Sequence, residues 1–155
     1  MTLTQQAADA ITSAAGWKPT QPDAEGVFHF RLEGDLDMDF FSPDGRTGIF
    51  RSTLTTLSGE DAESETLLKT CAQRAVAASR KRRSTLSIDG GRLQLHRAIG
   101  LDAMAADMAR AIPDVAKDFL NDLAWWQVQI GARSPQASPS PFSLSGFDLS
   151  WPVGR

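Results

Sequence analysis

The spacing of apolar residues switches at residue 27 from a helical period near 3.6 to the strand period of 2, and it stays there through residue 57. In Val27-Phe28-His29-Phe30-Arg31-Leu32, the side chains of Phe28, Phe30 and Leu32 fall on one face. Glu33-Gly34-Asp35 turns the chain, and Leu36, Met38 and Phe40 then alternate with Asp35, Asp37 and Asp39. Ser42-Pro43-Asp44-Gly45 is a second turn, because Pro presets the first turn dihedral and Gly accepts the left-handed one. Ile49 to Leu57 is Thr-rich and reads as a third strand. Three strands in a row with short turns make an antiparallel meander, which excludes a regular alternation of single strands with helices.

The flanking segments are helical. Leu3, Ala7, Ala10, Ile11 and Ala14 share one face, with Thr2 or Thr4 as the start signal and Gly16 as the stop. That face is built of small side chains, so the helix is expected to pack loosely or to meet a partner. Residues 17–26, with Pro19 and Pro22, read as a loop. Over 60–80, Leu68, Cys71, Ala72, Ala75, Val76 and Ser79 form a helical stripe with acids first and Arg74 and Arg80 to Arg83 last, the order that complements a helix dipole. Leu86 and Ile88, then Leu93 and Leu95, flank Asp89-Gly90-Gly91 as a hairpin. Helical period returns from Leu101 to about Ile130, with Pro113 expected as the first residue of a second segment. The order is α-β-β-β-α-β-β-α, an α+β class with an antiparallel sheet. We expect one domain over 1–131 and a Pro- and Ser-rich tail over 132–155, in which Phe142 and Leu144, then Phe147, Leu149 and Trp151, alternate.

Composition narrows the function classes. A chain of 155 residues buries about 70% of its unfolded surface and needs no disulfide or metal to fold. One cysteine, Cys71, excludes an intramolecular disulfide and a zinc-finger framework. A net charge of −3 gives no general attraction for nucleic acid or an anionic membrane. No apolar run approaches the ~20 residues that span a bilayer. The first residues carry no basic, apolar leader pattern, so a cytoplasmic location is expected.

Catalytic patterns are weak. Asp35, Asp37 and Asp39 could line one strand face, but the calcium-loop pattern counted from Asp35 meets Phe40 and Arg46 where Gly and Glu are required. A solvated strand face is the simpler reading. His29 and His96 have no second ligand at metal spacing and read as surface residues. Cys71 sits on an apolar stripe and reads as structural. Arg80-Lys81-Arg82-Arg83 reads as helix-end charge. We therefore expect no enzyme, no cofactor and no metal. Trp125-Trp126 is more informative. Neighbours on a helix point about 100° apart, so if Trp126 continues the core stripe of Phe119 and Leu123, Trp125 faces a neighbouring element or a partner.

This order of elements, with the stretch Ser84 to Arg97 as late hairpin and Phe119-Leu120-Asn121-Asp122-Leu123-Ala124-Trp125-Trp126 as closing helix, resembles the class I type III secretion chaperones, the CesT or Tir-chaperone type. The resemblance spans roughly 2–131. It implies a twisted antiparallel sheet and a cytoplasmic homodimer with a part in virulence. It also implies that the dimer binds the N-terminal region of a secreted effector in extended form, keeping it soluble and export-competent without ATP or cofactor. On that reading, Leu68, Leu86, Ile88, Leu93 and Leu95 are candidates for the dimer interface. Leu3, Ile11, Phe28, Phe30, Met38, Phe40, Phe50, Leu54 and Trp125 are candidates for partner binding, the apolar strand residues among them reading first as core. The alternative is a chaperone-like adaptor that binds a folded signalling partner.

Overall fold

The computed structural model describes residues 1–33, 36–58 and 62–131. Helix α1 (Leu3–Ala15) begins where the Thr2 hydroxyl accepts the Gln5 N–H at 3.1 Å, and it ends at Gly16, whose φ of 70° is left-handed. Its small face buries Ala7, Ala8, Ile11 and Ala15, and it packs on the last of the described helices. Small side chains let the two helix backbones approach closely.

The meander forms as β1 (Phe28–Arg31), β2 (Asp37–Phe41) and β3 (Thr47–Thr56). Asp44 sets the second turn by accepting the N–H groups of Arg46 at 2.8 Å and Thr47 at 2.6 Å, and those bonds hold its carboxyl below the usual range. Helix α2 (Ala62–Ala78) follows, then the hairpin of β4 (Thr85–Asp89) and β5 (Arg92–Gly100). All pairings are antiparallel in the order β1-β2-β3-β5-β4. β5 rather than β4 lies beside β3, because its length lets it pair from Thr47↔Gly100 to Thr56↔Arg92. The shorter β4 becomes an outer edge.

The closing region departs from expectation. The break falls at a 3-10 turn, Ala105–Asp107, between α3 (Leu101–Met104) and α4 (Met108–Gly131), and Pro113 lies inside α4. The missing N–H forfeits only the bond to the Ala109 carbonyl, and the proline ring is buried. One lost bond near a helix start is offset by that burial.

Alternation along the strands divides the sheet cleanly. Phe28, Phe30, Met38, Phe40, Phe50 and Leu54 face the helices and are buried with Ile112, Phe119, Leu123 and Trp126 of α4. Ring centroids of Phe40 and Phe50 lie 4.9 Å apart, and those of Phe50 and Phe119 lie 5.7 Å apart, so one aromatic column joins sheet to helix. Gly48 makes room for it, since a Cβ there would stand 2.9 Å from the Phe40 ring. On the opposite face a polar row crosses every strand: His29, Asp39, Arg51, His96 and Thr85 are successive cross-strand partners.

Candidate functional site

Helix α2 is sparsely covered for its length. Leu68, Cys71, Ala72, Ala75 and Ala78 recur at helical spacing, yet Cys71 alone is buried among the helix's residues. Across from them stand Leu86 and Ile88 of β4 and Leu93 of β5, with Trp126 closing the floor. The result is an open apolar groove of about 770 Å³ between helix and sheet edge. Ile88 is 56% exposed along its flank. Arg82 and Arg83 stand at one end.

One buried carboxylate positions that end. Asp122, on the inner side of α4, accepts from the Arg82 guanidinium at 3.0 Å, from the Ser84 hydroxyl at 2.6 Å and from the Ser84 N–H at 3.2 Å. The Arg82 guanidinium also lies 4.6 Å from the centre of the Trp125 ring, which meets Trp126 edge-on at 4.9 Å. Arg74 of α2 donates to Gln129 of α4. These contacts tie the segment between α2 and β4 to α4, and so set the width of the groove.

A second polar cluster sits at the other end of the sheet. His29 of β1 lies between Asp23, 2.6 Å from Nε2, and Asp39, 2.7 Å from Nδ1, and Arg51 reaches Asp39 at 3.0 Å. The hydrogen bond to Asp23 and then that to Asp39 raise the His29 pKa above its ordinary value. The Asp23 carboxyl is lowered, chiefly by the Val27 N–H and next by His29. His96 bridges the hydroxyls of Thr85 and Ser87 at 3.0 and 3.1 Å.

The expected dimer residues divide. Leu68, Leu86, Ile88 and Leu93 all line the groove, whereas Leu95, the cross-strand partner of Leu86, is fully buried in the core. The expected partner residues divide more sharply. Ile11, Phe28, Phe30, Met38, Phe40, Phe50 and Leu54 are all buried, at 8% exposure or less. The face that alternation gives them is the one the helices cover. Leu3 and Trp125 stay half-buried at the surface. Asp35 lies outside the described residues, as does the alternating pattern of 142–151. Asp37 pairs with Arg31 at 3.6 Å. Arg80 to Arg83 follow the end of α2 at Ala78 rather than filling its last turn, and Arg82 serves the buried contact with Asp122. Ala72 and Trp126 were not expected at the groove. The α2 stripe itself was the available signal, since nothing in the sequence says which stripes find a cover.

The model of the Tir chaperone protein (CesT) family matches residues 6–126. The chain belongs to that family. The matched span runs from within α1 to Trp126 and so includes the sheet, α2 and the groove. No curated protein matches the chain by sequence. Among solved structures, the HopA1-SchA chaperone–effector complex is 12% identical with a TM-score of 0.56, over 81% of this chain and 93% of that one. The ExsC-ExsE complex is 16% identical with a TM-score of 0.55, over 86% and 100%. The Yersinia pestis type III secretion chaperone SycH, in complex with a stable fragment of YscM2, is 8% identical with a TM-score of 0.57, over 82% and 98%. At such identities the likeness is one of fold. It establishes the α+β architecture of a Tir-chaperone-family member across nearly the whole of those chains.

Proposed function

We propose that this chain is a type III secretion chaperone that works in the cytoplasm as a homodimer. It binds the N-terminal region of a secreted effector in extended form and keeps that region soluble until export. Membership of the Tir chaperone family over residues 6–126 carries this reading. The chemistry supports it. Asp37 and Asp39 of the expected acidic face are held by Arg31, His29 and Arg51 in ion pairs, and the described residues offer an apolar groove and a sheet edge. An extended segment adds to a sheet edge through its backbone and places alternate side chains on either face. Among the described residues β1 is such an edge, with β2 as its one strand neighbour. Ordering a disordered segment costs free energy, so a broad surface is needed, and a dimer doubles it. Among the described residues no helix is long and apolar enough to cross a membrane.

The second copy is assigned to the α2–β4 groove, because an apolar patch of this kind marks a contact surface. A two-fold dimer meets each residue twice, so one charge introduced there acts twice. We expect the purified chain to show twice its mass of 16.8 kDa by light scattering. Ile88→Asp should weaken the dimer at least about 100-fold, since a carboxylate is then buried without a partner. Sedimentation at micromolar concentration reads this directly. An unchanged dimer in Ile88→Asp and in Leu86→Asp would place the interface elsewhere, and a wild-type monomer would remove it.

A further inference from the structure

The ring of Trp17 lies 6.0 Å from that of Phe30, which faces the helices, whereas Asp23 holds His29, which faces the other way. Consecutive residues of a strand point to opposite faces. The segment between Trp17 and Asp23 therefore passes from one face of the sheet to the other beside β1. Lys18, Pro19, Gln21 and Pro22 along it are exposed. Its two prolines have no N–H to donate, so it cannot become a complete sixth strand.

We propose that Asp23, His29 and Asp39 form a clasp that fastens this strap over the edge of β1, and that loss of the His29 proton loosens it. The significance of an exposed edge rests on the chaperone reading above, in which β1 receives the extended segment. With both ring nitrogens protonated, His29 donates to both carboxylates. A neutral ring has one N–H, and its other nitrogen then presents a lone pair to a carboxylate. Arg51 of β3 holds Asp39 in either state, so Asp23 and the strap are the part that moves. The other charges near the cluster are Glu25 on the same turn, and Arg31 of β1 with Asp37 of β2, which neutralise each other across the pair. The direction follows from linkage. A histidine whose pKa is raised on folding contributes stability below its unfolded value, and that contribution disappears as pH rises through the folded value. The clasp is closed on the acid side, down to the range where Asp23 itself takes a proton.

Hydrogen exchange on the full chain tests this without any partner. After correction for intrinsic rates, the amides of Phe28–Arg31 should lose about tenfold in protection as pH rises through the His29 titration, while those of β3 and β5 keep theirs. Asp23→Asn should show the unprotected behaviour already at the lower pH, with its pH dependence gone. Equal protection of β1 in Asp23→Asn and the wild type at the lower pH, or a wild-type profile flat across the His29 titration followed by NMR, would overturn the clasp. This outcome is separable from the chaperone reading. An effector segment captured by a chain with flat exchange would defeat the clasp alone, and a pH-opened edge in a chain that captures none would defeat the chaperone reading alone.

Discussion

Asp122→Ala will lower the stability of the fold by about 3 kcal/mol, seen as a fall in Tm of roughly 6–12 °C. The carboxylate is 8% exposed and accepts three hydrogen bonds from Arg82 and Ser84. Its removal leaves the Ser84 N–H and hydroxyl without their acceptor and the guanidinium without its counter-charge. Losing one member of a buried pair costs about 3–5 kcal/mol. The lower end applies because Arg82 is 27% exposed and regains water. Asp122→Asn keeps an acceptor for Ser84 while losing the charge, and should fall between the two. Thermal unfolding reads both variants. Because Ser84 leads into β4 and Arg82 follows α2, the same change should loosen the groove, so the variant that unfolds earlier should also dimerise less tightly. A Tm within a degree of wild type would show that Asp122 is no anchor.

Phe50→Ala will cost about 3–5 kcal/mol, the range for truncating a buried phenylalanine. Phe50 has no exposed surface, pairs across strands with Phe40 and Arg97, and stacks on Phe119. It is the middle of the column that joins β2 to α4. Alanine leaves a cavity that neither the Gly48 backbone nor the strand can close without moving the sheet. Phe50→Leu keeps most of the volume and should lose well under half as much. Denaturant unfolding measures both. A loss under 1 kcal/mol for Phe50→Ala would mean that the sheet and α4 are held together by something other than this column.

The meander, the hairpin and the first helix were legible because each rests on local signals: a period of two, Asp44 in its turn, and Thr2 and Gly16 at the helix ends. What escaped the sequence depends on distance or on competition. Asp122 is a lone acid on a helix, and its partners lie 38 and 40 positions away. The His29–Asp23 contact crosses a loop whose course no periodicity reveals. The place of β5 beside β3 follows from strand length, which is visible, and from a crossover, which is not. Pro113 inside α4 shows burial outweighing one hydrogen bond. Alternation identified Phe28, Phe30, Met38, Phe40 and Phe50 as one face but not as a face already covered by α1 and α4. Conversely, the stripe of Leu68, Cys71, Ala75 and Val76 was plain, and its lack of cover was not. The candidate site is that difference: two stripes alike in pattern, one filled from within the chain and the other open.

The central claim is that this fold acts by holding an extended segment of another protein. A tagged chain purified from its native bacterium, followed by light protease trimming and identification of what stays bound, tests it most directly. The account predicts one larger protein whose protected stretch is short, lies near its N-terminus and remains bound to two copies of the chain. Recovery of an intact folded domain, with no protected extended stretch, would contradict it.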